Sequence, residues 1–293
     1  MIDLSIVIVS YNTKDFLIKC LASIEETAKD FTYEIVVVDN ASTDGTVDEI
    51  SDIRYQDIKI IKNKENLGFS KANNIGIRKT NGRYVLFLNA DTIVYPITLK
   101  TMIDFMDKNK DAGAATCKLQ MPSGKIDDAT HRGFPTPWNS FCHFSGLSKI
   151  FPKVKLFGGY NLSYLDLSKT HEIDALAGAF MMVRKIAGNK VGWWDEDYFF
   201  YGEDLDFCYM LKQKGWKIYY VPEVSILHYK GVSGGIKKIS KEVTTANKET
   251  RKKAQAERFK AMRIFYKKHY ETKYSRIVTR LVYFGISVKK LIS

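Results

Sequence analysis

The chain has 293 residues, 45% of them hydrophobic, and a formal net charge of +12. That much apolar content supports a sizeable core and excludes a disordered polyelectrolyte, and with no run of 18 apolar residues a membrane-spanning helix is not expected. The charge is uneven: from Lys230 onward there are 18 Lys/Arg against 4 Asp/Glu, while residues 1–229 carry 27 against 29.

Leu4 to Val9 is a continuous apolar, β-branched run, the pattern of a strand buried on both faces. Phe16, Leu17, Cys20, Leu21 and Ile24 then recur at helical spacing. A second strand is expected over Glu34 to Val38. Ser42 and Thr43 are candidate N-caps for a helix through Val47, Ile50 and Ile53. A third strand over Ile58 to Ile61, a helix over Ser70 to Arg78 and a fourth strand over Arg83 to Leu88 complete the rhythm. Strands alternating with helices predict a parallel sheet with right-handed crossovers.

The rhythm changes after residue 120. Residues 131 to 172 hold prolines and glycines with weak periodicity, which predicts an excursion with long loops over one face of the sheet. Order returns at Ile173 to Arg184, with Gly178 among small and apolar residues. Asp204 to Lys214 reads as a helix stopped by Gly215, and Trp216 to Val221 as a strand closed by Pro222. Lys241 to Tyr270 is basic and helix-compatible. Beyond it Ile277, Leu281, Phe284, Val288 and Leu291 recur at three- and four-residue intervals, flanked by Arg276, Arg280, Lys289 and Lys290. The expected division is a body over 1–235 and a basic helical extension over 236–293. Cys20, Cys117, Cys142 and Cys208 form no C-x-x-C pair, and the first residues lack the basic flank of a signal peptide. A cytoplasmic protein with reduced thiols is expected.

Four acidic segments carry the chemistry. Asp39-Asn40-Ala41-Ser42-Thr43-Asp44-Gly45 and Asn89-Ala90-Asp91 each follow an apolar strand, and open α/β sheets bind ligands beyond the carboxyl ends of their strands. Acids gathered there suit a metal-bound phosphate ligand better than a bare anion. A carboxylate at such a position can accept hydrogen bonds from a nucleobase or ribose, although Asp and Ser also cap turns and helices routinely. One oxygen ligand on a divalent ion, completed by phosphates and water, is typical of Mg2+ or Mn2+. Trp194-Asp195-Glu196 is the third segment. Glu203-Asp204-Leu205-Asp206 follows an aromatic run, Tyr198 to Tyr201, and partial desolvation there would raise a carboxylate toward a useful general base. The same acids could simply complement a helix N-terminus. His228 follows a strand and can ligate metal or contact phosphate, or serve the core. Asn66-Leu67-Gly68-Phe69 reads as a loop-organising turn.

Together these segments resemble a family 2 inverting glycosyltransferase of the GT-A fold, in its rhamnosyltransferase-like branch. The resemblance runs from Ser5-Ile6-Val7-Ile8-Val9-Ser10-Tyr11-Asn12 to about Ser233 and includes Gly178 to Arg184, Gly192 to Glu196 and Phe200 to Asp206. It implies roles. Asp39 contacts the uracil or thymine end of a UDP- or dTDP-sugar, with Ser10, Tyr11, Asn12, Asn40, Ser42, Asn66, Gly68, Lys71, Asn89 and Ala90 around the donor. Asp91 and His228 face the metal. Asn89 stands where the family carries its first acid, leaving one charge fewer. Asp204 is the base for the acceptor hydroxyl, with Glu203 its rival, and Gly178, Trp194, Asp195 and Glu196 shape the sugar pocket.

The expected activity is transfer of a sugar, rhamnose being the branch's example, to a glycan or polyprenyl-linked acceptor in bacterial surface polysaccharide synthesis. The alternative is an inactive sugar-nucleotide or glycan-binding module of the same fold. The tail's apolar stripe beside Arg and Lys fits either the inner membrane surface or a homo-oligomer contact. No nucleic-acid partner is expected, because no stacking aromatics accompany the charge.

Overall fold

The computed structural model describes residues 2–52, 58–236 and 244–292. Ile53 and Lys241 therefore lie outside the described residues. The N-terminal half is β1 (Leu4–Ser10), α1 (Lys14–Thr27), β2 (Tyr33–Asp39), α2 (Thr46–Asp52), β3 (Ile58–Lys62), α3 (Phe69–Ile77) and β4 (Tyr84–Leu88). Its four strands pair in parallel in the order β3-β2-β1-β4. β1, β2 and β4 are almost wholly buried, as continuous apolar runs require when helices cover both faces of a sheet.

The second half is mixed. It contains β5 (Thr92–Val94), α4 (Thr98–Lys108), β6 (Ala112–Gln120), α5 (Pro137–Ser145), α6 (Leu147–Ile150), α7 (Lys155–Gly158), β7 (His171–Ile173), β8 (Phe180–Arg184), α8 (Lys185–Val191), α9 (Glu203–Gln213) and β9 (Lys217–His228). β8 inserts antiparallel between β4 and β6, and β9 runs parallel to β6. β5 and β7 both pair antiparallel with β9. The sheet of nine strands thus continues as β4-β8-β6-β9-β5.

Two elements differ from expectation. β9 does not stop at Pro222 but runs on to His228, because the register shifts between Val221 and Ser225 and absorbs the proline in a bulge. The excursion over residues 131–172 is three short helices, α5 to α7, rather than long loops, leading into β7.

α10 (Lys248–His269) and α11 (Arg276–Leu291) follow. α10 buries Ala254, Phe259, Ala261, Phe265, Tyr266 and His269. His269 Nε2 lies 2.6 Å from Asp206 Oδ1, and Lys268 Nζ donates to Asp195 at 2.6 Å and Asp206 at 2.9 Å. The chain therefore shows no break in packing at residue 235: α10 is built into the body, and only α11 has no buried residue. Among the described residues no helix is long and apolar enough to cross a membrane.

Candidate active site

A cavity of about 290 Å3 opens beyond the carboxyl ends of β1, β2, β4 and β9. Its walls include Tyr11, Asn40, Asn66, Gly68, Asn89, Ala90, Asp91, Gly178, Glu203, Asp204 and His228. Segments scattered along the chain thus meet because parallel strands deliver their ends to one edge.

The donor-side loops are braced by short polar contacts. Asn12 takes a positive φ and donates its N–H to Ser42 Oγ at 2.9 Å, while its Oδ1 accepts the Thr43 N–H at 2.7 Å. Asp44 caps two helices, accepting from Lys14 N at 3.0 Å and from Thr46 N at 3.1 Å. The side-chain oxygen that serves the start of α2 is therefore that of Asp44, not Ser42 or Thr43. Ser10 Oγ lies 2.9 Å from Thr13 Oγ1 in a buried pair. Asp39 is buried at the end of β2; its Oδ2 accepts the Ser42 N–H at 2.9 Å, and its Oδ1 has no partner. A buried, unpaired acceptor is costly, so Oδ1 is suited to a ligand N–H or hydroxyl. Asn40 Nδ2 donates to the Gly68 carbonyl at 3.1 Å. Gly68 has φ of +84°, and a Cβ there would lie 2.5 Å from the Phe199 carbonyl oxygen, so only glycine fits this junction.

Several candidates, Asp39 among them, are not on the cavity wall. Ser10, Asn12 and Ser42 hold the loops, and Lys71 lies exposed on α3. Trp194 is buried among Phe87, Phe207 and Phe69, with ring centroids 4.7, 5.0 and 5.7 Å away, so it supports the wall rather than lining it. Asp195 is occupied by Lys268 of α10, and Glu196 accepts from Asn74 at 2.9 Å on the surface.

Asp91 and His228 form the first charged cluster. His228 Nε2 lies 3.5 Å from Asp91 Oδ1 and has no hydrogen-bond partner. Its Nδ1 lies 3.2 Å from Asp127 Oδ2, and Asp127 also pairs with Lys230. Burial lowers the proton affinity of His228, but the carboxylates of Asp91 and Asp127 more than reverse this and push it up to about 9. Burial raises Asp91, yet the charge of His228 and the Val232 N–H hold it below the usual carboxylate range. Among the described residues no group of three or more His, Cys, Asp or Glu is placed to cage an ion. Asp91 and His228 do fit a two-ligand site: both are buried at the cavity wall, Nε2 is unpaired, and Asp127 orients the ring from behind, as carboxylates do for metal-bound histidines. A bound cation would displace the Nε2 proton.

The acids opening α9 divide three ways. Asp206 anchors α10. Asp204 Oδ2 accepts from Arg132 Nη2 at 2.6 Å, with the two side chains only 14% and 12% exposed. Glu203 Oε2 is buried without a partner. Its pKa is pushed up to about 8, first by burial and then by the neighbouring Asp204 charge. The helix N-terminus favours an ionised Glu203 by at most about 2 kcal/mol. Desolvation costs several kcal/mol per buried ion, roughly, and wins.

Sequence reasoning passed over Asp127, Arg132, Lys230 and the α10 residues Thr250 and Lys253. All but Arg132 line the cavity. Lys230 sits two residues after His228, just beyond the end of β9, and both reach the Asp127 carboxylate. The others lie in stretches without periodicity or motif.

Residues 5–167 match the profile described as Glycosyl transferase family 2. The chain is 28% identical to an N-acetylglucosaminyl-diphospho-decaprenol L-rhamnosyltransferase of Mycobacterium tuberculosis, covering 79% of this chain and 78% of the relative. It is 30% identical to the rhamnosyltransferase WbbL of Escherichia coli, covering 76% and 82%. Among solved structures it resembles GalNAc-T7 with UDP, GalNAc and Mn2+, with a TM-score of 0.59 at 16% identity, covering 92% of this chain and 58% of that one. The architecture is the GT-A arrangement, and on the profile match and the identity to WbbL the chain belongs to glycosyltransferase family 2 and is a glycosyltransferase.

Proposed function

We propose that the enzyme transfers rhamnose or a similar hexose from a UDP- or dTDP-linked donor to a hydroxyl of a glycan or polyprenyl-linked acceptor, inverting the anomeric centre, at the inner face of the cell membrane. The observation that carries this reading is the convergence of Asp91 with His228, and of Glu203 with Asp204, on one cavity. The names of the relatives support the sugar and the lipid-linked acceptor.

In this mechanism Asp39 Oδ1 accepts from the base, and the Asn12–Ser42 brace fixes the loop around the nucleotide. Asp91 and His228 would hold a divalent cation, Mg2+ or Mn2+, which supplies charge neutralisation for the departing diphosphate when bound. Asp204 takes the acceptor proton as the hydroxyl attacks the anomeric carbon opposite the nucleotide. Arg132 fixes the carboxylate in place through its short ion pair. Glu203 favours a second assignment, because it has an unpaired oxygen and a proton affinity near neutrality. A protonated Glu203 would donate a hydrogen bond; an ionised one would compete as base.

The test is a thermal-stabilisation screen of UDP- and dTDP-sugars with Mn2+, followed by determination of the product's anomeric configuration. Stabilisation by one donor and an inverted product support the reading. No stabilising donor, or a retained configuration, overturns it.

A further inference from the structure

α11 is mounted with its apolar side outward. Ile277, Leu281, Phe284 and Leu291 are 63–86% exposed. The opposite face rests on α10 through polar and aromatic contacts: Tyr266 Oη lies 3.1 Å from Thr279 Oγ1, Arg263 donates to Ser287 Oγ at 2.8 Å, and the rings of Tyr266 and Tyr283 are 5.5 Å apart. A surface helix ordinarily turns its apolar stripe to the core.

The α5–α7 excursion presents a second patch. Phe141, Phe144, Ile150 and Leu156 are 51–67% exposed. The two patches meet where Lys289 Nζ of α11 lies 5.1 Å from the centroid of the Phe144 ring. Exposed apolar surface on this scale marks a protein or membrane contact.

Charge chooses between those occupants. Residues 133–165 contain no Asp or Glu, but they do contain Lys149, Lys153 and Lys155. Residues 272–292 likewise contain no acid and carry Lys273, Arg276, Arg280, Lys289 and Lys290. A symmetric dimer would set one predominantly cationic rim against another. An anionic lipid surface complements both the apolar centre and the basic rim.

We propose that α11 and the α5–α7 excursion together form one platform that lies on an anionic bilayer, with the apolar side chains in the acyl boundary and the Lys/Arg rim at the headgroups. The platform supplies the partner surface for the lipid-linked acceptor and rests on that reading. It is also joined to the catalytic carboxylate. The excursion leaves the body at Arg132, which pairs with Asp204, and Gly133 is packed so tightly that a Cβ there would lie 1.9 Å from the Gly159 carbonyl oxygen.

The experiment is flotation of the full chain with vesicles of phosphatidylcholine alone and of phosphatidylcholine with phosphatidylglycerol. The variants are Phe141→Glu/Phe144→Glu on α5 and Leu281→Glu/Phe284→Glu on α11. All four positions are exposed, so folding should survive, and a melting curve checks it. Wild type is expected to float with the anionic vesicles only, and each double variant to lose at least about tenfold in bound fraction. No wild-type flotation overturns the platform. Undiminished flotation of the α5 variant overturns its joint character, and a dimer that only the variants dissolve identifies a second copy as the occupant. Donor binding by calorimetry is run on the same samples. Flotation without donor binding defeats the proposed UDP- or dTDP-sugar donor and leaves the platform standing; donor binding without flotation does the reverse.

Discussion

Arg132 Nη2 donates to Asp204 Oδ2 at 2.6 Å across a site where neither side chain is more than 14% exposed. Removing one member of so buried a pair leaves the other uncompensated. Arg132→Met is expected to cost about 3–5 kcal/mol. Adding Asp204→Asn should recover much of that loss. Urea unfolding of the two single variants and the double variant gives the coupling; strict additivity would mean the pair does not interact.

Asp204→Asn alone should lower transfer by about 10²–10⁴-fold, the usual contribution of a positioned base. Donor binding should stay near normal, because the change preserves shape. Steady-state kinetics and calorimetry check both halves. If Glu203→Gln rather than Asp204→Asn abolishes turnover, the two acids exchange roles.

Asp127 contacts His228 Nδ1 but is proposed to support the metal, not to ligate it. Asp127→Asn is expected to weaken Mn2+ affinity by about 10–100-fold, the range for carboxylates behind a ligating histidine. Asp91→Ala should be more severe. Titration of Mn2+ in the presence of UDP measures the affinity directly, with no turnover required.

Glu203 has a pH signature. Its pKa rises from 4.5 unfolded to about 8 folded. A raised pKa means the folded state holds its proton more tightly, so the contribution to stability is complete below about 4.5 and is lost as pH climbs through about 8. Relative to Glu203→Gln, the wild type should lose melting temperature progressively across that window. Parallel melting curves at a series of pH values would show it, and parallel profiles for the two proteins would refute the buried, unpaired state of Glu203.

Truncation separates the last two helices. A chain ending at Gly235 loses the partners that Lys268 and His269 give to Asp206 and the aromatic packing of Phe265 and Tyr266 on Tyr209. It should be unstable and fail to bind donor. A chain ending at Tyr274 keeps α10 and should bind donor normally. Circular dichroism melts and donor calorimetry distinguish the two.

The parallel half of the sheet was legible because burial on both faces writes itself as unbroken Ile/Val/Leu runs, and β1, β2 and β4 carry them. Asp91, Glu203, Asp204 and His228 were legible as motifs. Pro222 misled because a bulge can take a proline that a regular ladder cannot. Asp127 and Arg132 were illegible for a different reason. Each gains meaning only from a partner far along the chain, His228 for one and Asp204 for the other. Lys268 and His269 looked like ordinary tail charge until α10 was seen to carry them to Asp206. Asp195 looked like a pocket acid and is instead a tether for the same helix.

The insertion of β8 between β4 and β6 has a further consequence for synthesis on the ribosome. β4 and β6 precede β8 in the chain, yet β8 lies between them in the sheet, and one wall of the cavity waits for Thr250, Lys253 and Ala254. A nascent chain can assemble its first four strands early, but it has no finished pocket until Ala254 has emerged. Incomplete translation products are therefore expected to be inert toward activated sugars, rather than hydrolysing them wastefully.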